Sequence, residues 1–209
     1  MGLTPTNIAW IPFVTMLSVF AGEHALQHNR NNGLSADDIQ HVMGASGAAK
    51  WLSIAGLDKA IFGQWLANSS HDITLYGTSV GAFKLAAAAH TEPVAALHRL
   101  AHAYIEQDYS SSVDADSIAK QMGPVIDAVA GEGAAQQVLC HPTFRLQFGA
   151  VRCLDAQLAS DNIREQQKAM GRLFAANLRS RQRLSAYVQR TTFSDPRLPK
   201  RYSAVESKD

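Results

Sequence analysis

Apolar positions along this chain change period several times, and each change marks an element. Ile73, Leu75 and Tyr76 make a short β-prone run, and Ala82 to Ala89 is a strong helix former. Between them lies the small-residue turn Gly77-Thr-Ser-Val-Gly81. Upstream, Ile39 to Met43 predicts a short strand. The loop Gly44-Ala-Ser-Gly-Ala-Ala-Lys50 follows, and then a helix from Trp51 to Leu66 with Leu52, Leu57, Ile61, Phe62 and Trp65 as its apolar stripe. Two strand–loop–helix units in succession predict an α/β fold with a mainly parallel sheet between helices.

The remaining segments extend that pattern. Glu23 to Asn31 reads as a helix ended by Gly33, with a short turn begun by Ser35 after it. Glu92 to Gln107 and Ala115 to Ala130 read as helices, the second expected to kink at Gly123-Pro124. Asp108 to Ser112 is a polar loop and Gly131-Glu-Gly133 a break. Phe144 to Arg152 alternates as a strand does, Ile163 to Leu184 reads as one long basic helix, and Ala186 to Phe193 as a final strand. Ile8 to Ala21 is nearly all apolar but too short to span a bilayer. It contains Pro12 and has no Lys or Arg before it, which a secretory signal would carry. An amphipathic or buried entry segment is expected there. Residues 1–16 are read as an N-terminal extension, 17–199 as one domain and 200–209 as a disordered tail.

Composition narrows the function classes. The 209 residues are 46% hydrophobic and carry a net charge of +1, so charge gives no case for nucleic acid. Cys140 and Cys153 form no C-x-x-C pair and suggest no disulfide framework, which makes a reducing, cytoplasmic setting the expectation. The histidine pairs His24/His28 and His98/His102 have helical spacing, but neither sits in H-E-x-x-H, and no nearby carboxylate or thiol completes a ligand set. No metal and no cofactor is expected. Lys168, Arg172, Arg179, Arg181 and Arg183 are read as a solvated basic face rather than a surface for anionic lipid or nucleic acid.

The candidate chemistry lies in the turn at 77–81. Strand, G-x-S-x-G, helix is the context of a nucleophile elbow. Ser79 is the candidate nucleophile, held in a strained turn, and Gly77 and Gly81 leave room for the neighbouring backbone. The helix that begins there aims unpaired N–H groups and its positive dipole end at the site. The upstream loop offers backbone donors for an oxyanion around Gly44, Ser46, Gly47 and Ala48. It lacks the spacing of a phosphate-binding loop, because Trp51 follows Lys50. Asp127 and His141 follow Ser79 in the order of an α/β-hydrolase triad. Asp127 falls inside a predicted helix, however, and too few strands intervene to return His141 to the serine.

These residues resemble the patatin-like acyl hydrolases. The likeness is carried by the loop Gly44 to Lys50, by the elbow Gly77 to Gly81, and by the single helix between them. A bacterial-type subgroup is closer still, through Ala21-Gly22-Glu23, Gly33 to Ser35, Lys50 to Leu52 and Gly56 to Asp58. The likeness runs from about Leu17 to about Pro199. It implies hydrolysis of acyl esters, often of lipids, by a Ser–Asp dyad without histidine. It also implies an acyl ester or phospholipid substrate and a peripheral membrane contact. Ser46 and Ala48 stand where that family usually has glycine. Its aspartate lies in Asp-Gly-Gly or Asp-Gly-Ala, and no aspartate here is followed by Gly. The domain is therefore expected to be incomplete at its C-terminus, with a sheet edge open to self-association. The alternative is a patatin-like protein that binds a lipid or a partner without turnover.

Overall fold

The computed structural model describes residues 20–108, 115–131 and 133–199. The expected extension at 1–16, most of the entry segment at 8–21, most of the polar loop at 108–112 and the tail at 200–209 lie outside the described residues. The chain divides into two units, Met1–Ser35 and Ala36–Asp209. The first contains helix α1 (Glu23–Asn32), closed by Gly33 at φ 77°, a left-handed conformation that glycine adopts without steric cost.

The second unit is α/β. Its four strands are β1 (His41–Gly44), β2 (Ile73–Thr78), β3 (Phe144–Cys153) and β4 (Val188–Ser194), and they lie side by side in chain order. β1, β2 and β3 are parallel, and β4 returns antiparallel to β3. The sheet is thus mixed but mostly parallel. Ile73 pairs with Phe144, Leu75 with Leu146 and Gly77 with Phe148, so these six residues share one face. On that face α3 (Val80–Ala88) packs through Leu85 and Ala88, together with Phe62, Leu66 and Val138. Helix α4 (Pro93–Ile105) covers α3, and α5 (Ala115–Ala130) covers both, around Trp51, Val80, Leu97, Leu100 and Val125. The opposite sheet face, with Thr74, Tyr76 and Thr78, is half-buried.

Three segments differ from the sequence reading. The helix expected at Trp51 to Leu66 is broken into a 3-10 turn (Ala48–Ile54), α2 (Ala55–Ala60), a wide π turn (Ile61–Trp65) and a 3-10 turn (Leu66–Asn68). The wide turn places Phe62 and Leu66 in the core and leaves Leu57 exposed. Gly63 lets α4 approach, since a Cβ there would lie 2.5 Å from Val94 Cγ2. A short helix, α6 (Ala134–Leu139), starts after Gly133 at φ 74° and was not anticipated. The long basic helix ends early. α7 spans Ile163–Arg179, because Ser180 is extended and its hydroxyl accepts from the Gln182 N–H to start a 3-10 turn (Arg181–Ala186). α5 is one helix that contains Pro124, over the bounds expected from the sequence.

Candidate functional site

β2 runs straight into α3 through one residue, Ser79, at φ 53° and ψ −133°. Among the described residues, Ser79 and Ala48 (φ 48°) are the non-glycine residues in the left-handed half of backbone space. Such conformations cost about 1–3 kcal/mol each and persist where their surroundings enforce them. At Ser79 the enforcement is backbone contact. A Cβ on Gly77 would lie 2.5 Å from the Gly81 carbonyl, and one on Gly81 would run into the Gly44 carbonyl. Gly44 pairs with Gly77 at the ends of β1 and β2, and a Cβ on it would lie 2.9 Å from the Gly81 oxygen. The three glycines therefore let two strand ends and the first turn of α3 meet at backbone distance. Gly81→Ala should lower stability by about 1–3 kcal/mol, read as a shift in urea midpoint. An unchanged midpoint would mean that this contact is not present in solution.

The loop after β1 is fastened to the same place. The Ser46 hydroxyl donates to the Thr78 carbonyl at 3.0 Å and lies 2.7 Å from Thr78 Oγ1. Ser46 thus secures the loop beside Ser79 through its side chain, and Gly47 and Ala48 open the following 3-10 turn. Lys50, at the end of the loop, is exposed. Gly44, Ser46, Gly77, Ser79 and Gly81 are brought together at the carboxyl ends of the parallel strands.

Ser79 is exposed and stands at the wall of a cavity of about 480 Å³. The other walls are Phe83 and Ala86 of α3, Val129 of α5, Val138 and Leu139 of α6, and Leu146 and Phe148 of β3. Among the described residues, no carboxylate, imidazole or amine lines it. Among the described residues, none hydrogen-bonds the Ser79 hydroxyl. Sequence reasoning missed this wall, because it is assembled from elements up to about seventy positions apart. α6 supplies part of it and is too short to carry a periodic signal.

The triad candidates are placed elsewhere. Asp127 is exposed on α5 and is absent from the cavity wall. His141 stands just before β3, at the amino end of the sheet, where its Nδ1 accepts from the Thr143 and Phe144 N–H groups and its ring stacks on Phe144. Burial, and then Arg145 and Arg197, push this imidazole down to about 4. Asp195 lies at that same end: its N–H donates to the Leu146 carbonyl. Leu146 is level with Leu75, four residues before Ser79, which is about 13 Å along the strand. Its carboxylate is committed to Arg197 at 2.6 and 2.9 Å. Burial raises the Asp195 pKa, but the side-chain and backbone hydrogen bonds from Arg197 outweigh it and leave the carboxyl below its ordinary range.

His141 therefore predicts an acid-sensitive fold rather than catalysis. Its folded pKa of about 4 lies below the ordinary 6.5, so the unfolded chain binds the extra proton first. Its share of stability is complete above about pH 6.5 and is lost as pH falls towards 4. His141→Asn keeps an acceptor for the two N–H groups and should flatten the urea midpoint across that window relative to the parent. A parent and variant with the same slope would show that His141 does not titrate there.

A buried ion pair was also invisible in the sequence. Lys84 Nζ of α3 lies 3.1 Å from Asp58 Oδ1 of α2, and both residues are buried. Burial pushes the Asp58 carboxyl up, offset in part by Lys84. The only signal for it was one lysine inside the otherwise apolar run Val80 to Ala89. Among the described residues no group of His, Cys, Asp or Glu could hold a metal ion, and no helix is long and apolar enough to cross a membrane. Cys140 and Cys153 are both free and exposed.

Compared with known proteins, the chain matches no family model, no curated protein and no solved structure.

Proposed function

We propose that this protein is a serine acyl hydrolase of the patatin-like type, a cytoplasmic enzyme that cleaves acyl esters, lipids among them, with Ser79 as nucleophile. The observation that carries this reading is an exposed serine at a strained strand-to-helix turn on the wall of an apolar cavity. The cavity is of the size that takes small ligands and would receive the acyl chain. Ser79 Oγ would attack the ester carbonyl, its proton passing by way of water to the departing alcohol, and a further water would release the acyl group as the acid and restore the serine. The first N–H groups of α3 and the backbone around Ser46, Gly47 and Ala48 would face the developing oxyanion. The helix dipole favours the same negative charge.

A second reading has its own support. No carboxylate or imidazole lines the cavity beside Ser79 among the described residues, and a serine without a general base is a weak nucleophile. That arrangement suits a pocket that binds an acyl chain without turnover. Chromogenic esters of increasing acyl length, together with a fluorophosphonate reagent, separate the two. Turnover that rises from short to medium chains, with Ser79 as the labelled residue, supports the hydrolase. Saturable binding of a fatty acid without turnover or labelling supports the second reading.

A further inference from the structure

The connection from β3 to β4 contains a helix with three distinct faces. β3 ends at Cys153 and β4 starts at its partner Val188, so residues 154–187 leave and re-enter the sheet at the carboxyl end, the end that carries Ser79. Within this connection α7 turns its small residues Ala169 and Ala176 inward. Ile163, Met170, Phe174 and Leu178 are spaced to form one stripe along the helix, and all four are exposed, Phe174 at 64% and Leu178 at 72%. On the third face stand Arg164, Lys168, Arg172 and Arg179, followed by Arg181 and Arg183. From 163 to 183 there are six cations and one carboxylate, Glu165, and one of the six, Arg172, is paired with Asp155 at 2.7 Å. Arg172, Arg179 and Arg183 also line a groove of about 400 Å³ beside Tyr187.

We infer that α7 and the turn after it form a docking element for anionic membrane surface. A solvated helix has no use for a row of exposed Ile, Met, Phe and Leu, whereas a helix lying in a lipid interface buries such a row and keeps its cations among the headgroups. Charge complementarity selects the occupant. With Arg172 held by Asp155, five cations remain against one carboxylate, which matches an anionic leaflet, and two such helices from two copies would repel each other. Nucleic acid would satisfy the cations but leave the apolar stripe in water. The arginine-lined groove is suited to a lipid phosphate. The element stands at the Ser79 end of the sheet, so docking would bring that end to the lipid. Membrane binding itself does not depend on the chemistry of Ser79.

The test is sedimentation of the full chain with phosphatidylcholine vesicles, with and without about a third phosphatidylglycerol, at low and high salt. The expected result is binding to the anionic vesicles at low salt, at least about tenfold weaker on neutral vesicles and weakened by salt. Lys168→Gln with Arg179→Gln should reduce the partition about 25-fold, near fivefold per cation. Phe174→Ser with Leu178→Ser should reduce it at least about tenfold. These side chains are exposed, so the circular dichroism of each variant should match the parent, and Ser79→Ala should bind as the parent does. Three results would overturn the inference. One is no sedimentation, or equal binding to both vesicles. Another is tight binding to a DNA oligonucleotide that survives the Phe174/Leu178 change. The third is a dimer that the same change dissolves while vesicle binding stays absent.

Discussion

Ser79→Ala should, on the proposed hydrolase reading, reduce ester turnover at least about a thousandfold, because it removes the group that would form the covalent intermediate. The substitution is sterically mild. Ser79 makes no side-chain cap to α3, so the fold should be unaffected. Ser79→Gly gives a sharper test. Glycine adopts φ 53° without penalty, so it should raise stability by about 1 kcal/mol while turnover is lost. A gain in urea midpoint with a loss of rate would identify the turn as backbone strain held for function. His141→Asn, by contrast, should leave turnover within about threefold, since the imidazole lies at the other end of the sheet. Full turnover in Ser79→Ala would end the hydrolase reading at this site.

The largest stability effect should come from Lys84→Met. It leaves the Asp58 carboxylate buried without its counter-charge, and breaking a buried pair in this way costs about 3–5 kcal/mol. That is a large part of the about 5–15 kcal/mol that holds a domain together. Asp58 already has a raised pKa from burial, partly offset by Lys84, and losing Lys84 removes the offset. A carboxyl whose folded pKa lies above its unfolded one binds its proton first in the folded chain, so stability falls as pH rises through that interval. The deficit of Lys84→Met should therefore be larger at pH 7 than at pH 5. Replacing both partners, Lys84→Met with Asp58→Leu, should recover most of the loss, because an apolar pair of similar volume removes the buried charge altogether. Urea unfolding of the three variants decides it. A single variant as stable as the parent would show that water reaches Asp58.

The strand at Ile73 to Thr78, the turn at Gly77 to Gly81 and the helix after it were legible in the sequence because their causes are local. A β-prone run, glycines without a Cβ on either side of a serine and an alanine-rich run can each be read over a few positions. The α/β class and the two successive strand–loop–helix units followed from the same local signals. Where helices break or stop was not legible. The wide turn at Ile61–Trp65 answers to a core formed with distant residues, and the extended Ser180 ends α7 in the middle of a sequence that favours helix. What the tertiary structure alone decided is which distant groups meet. Strand pairing sent His141 and Asp195 to the amino end of the sheet and Ser79 to the carboxyl end. Helix packing set Lys84 against Asp58, and α5, α6 and β3 together walled the cavity beside Ser79. These are contacts between elements far apart in the chain, fixed by register and side-chain packing that no short window of residues contains.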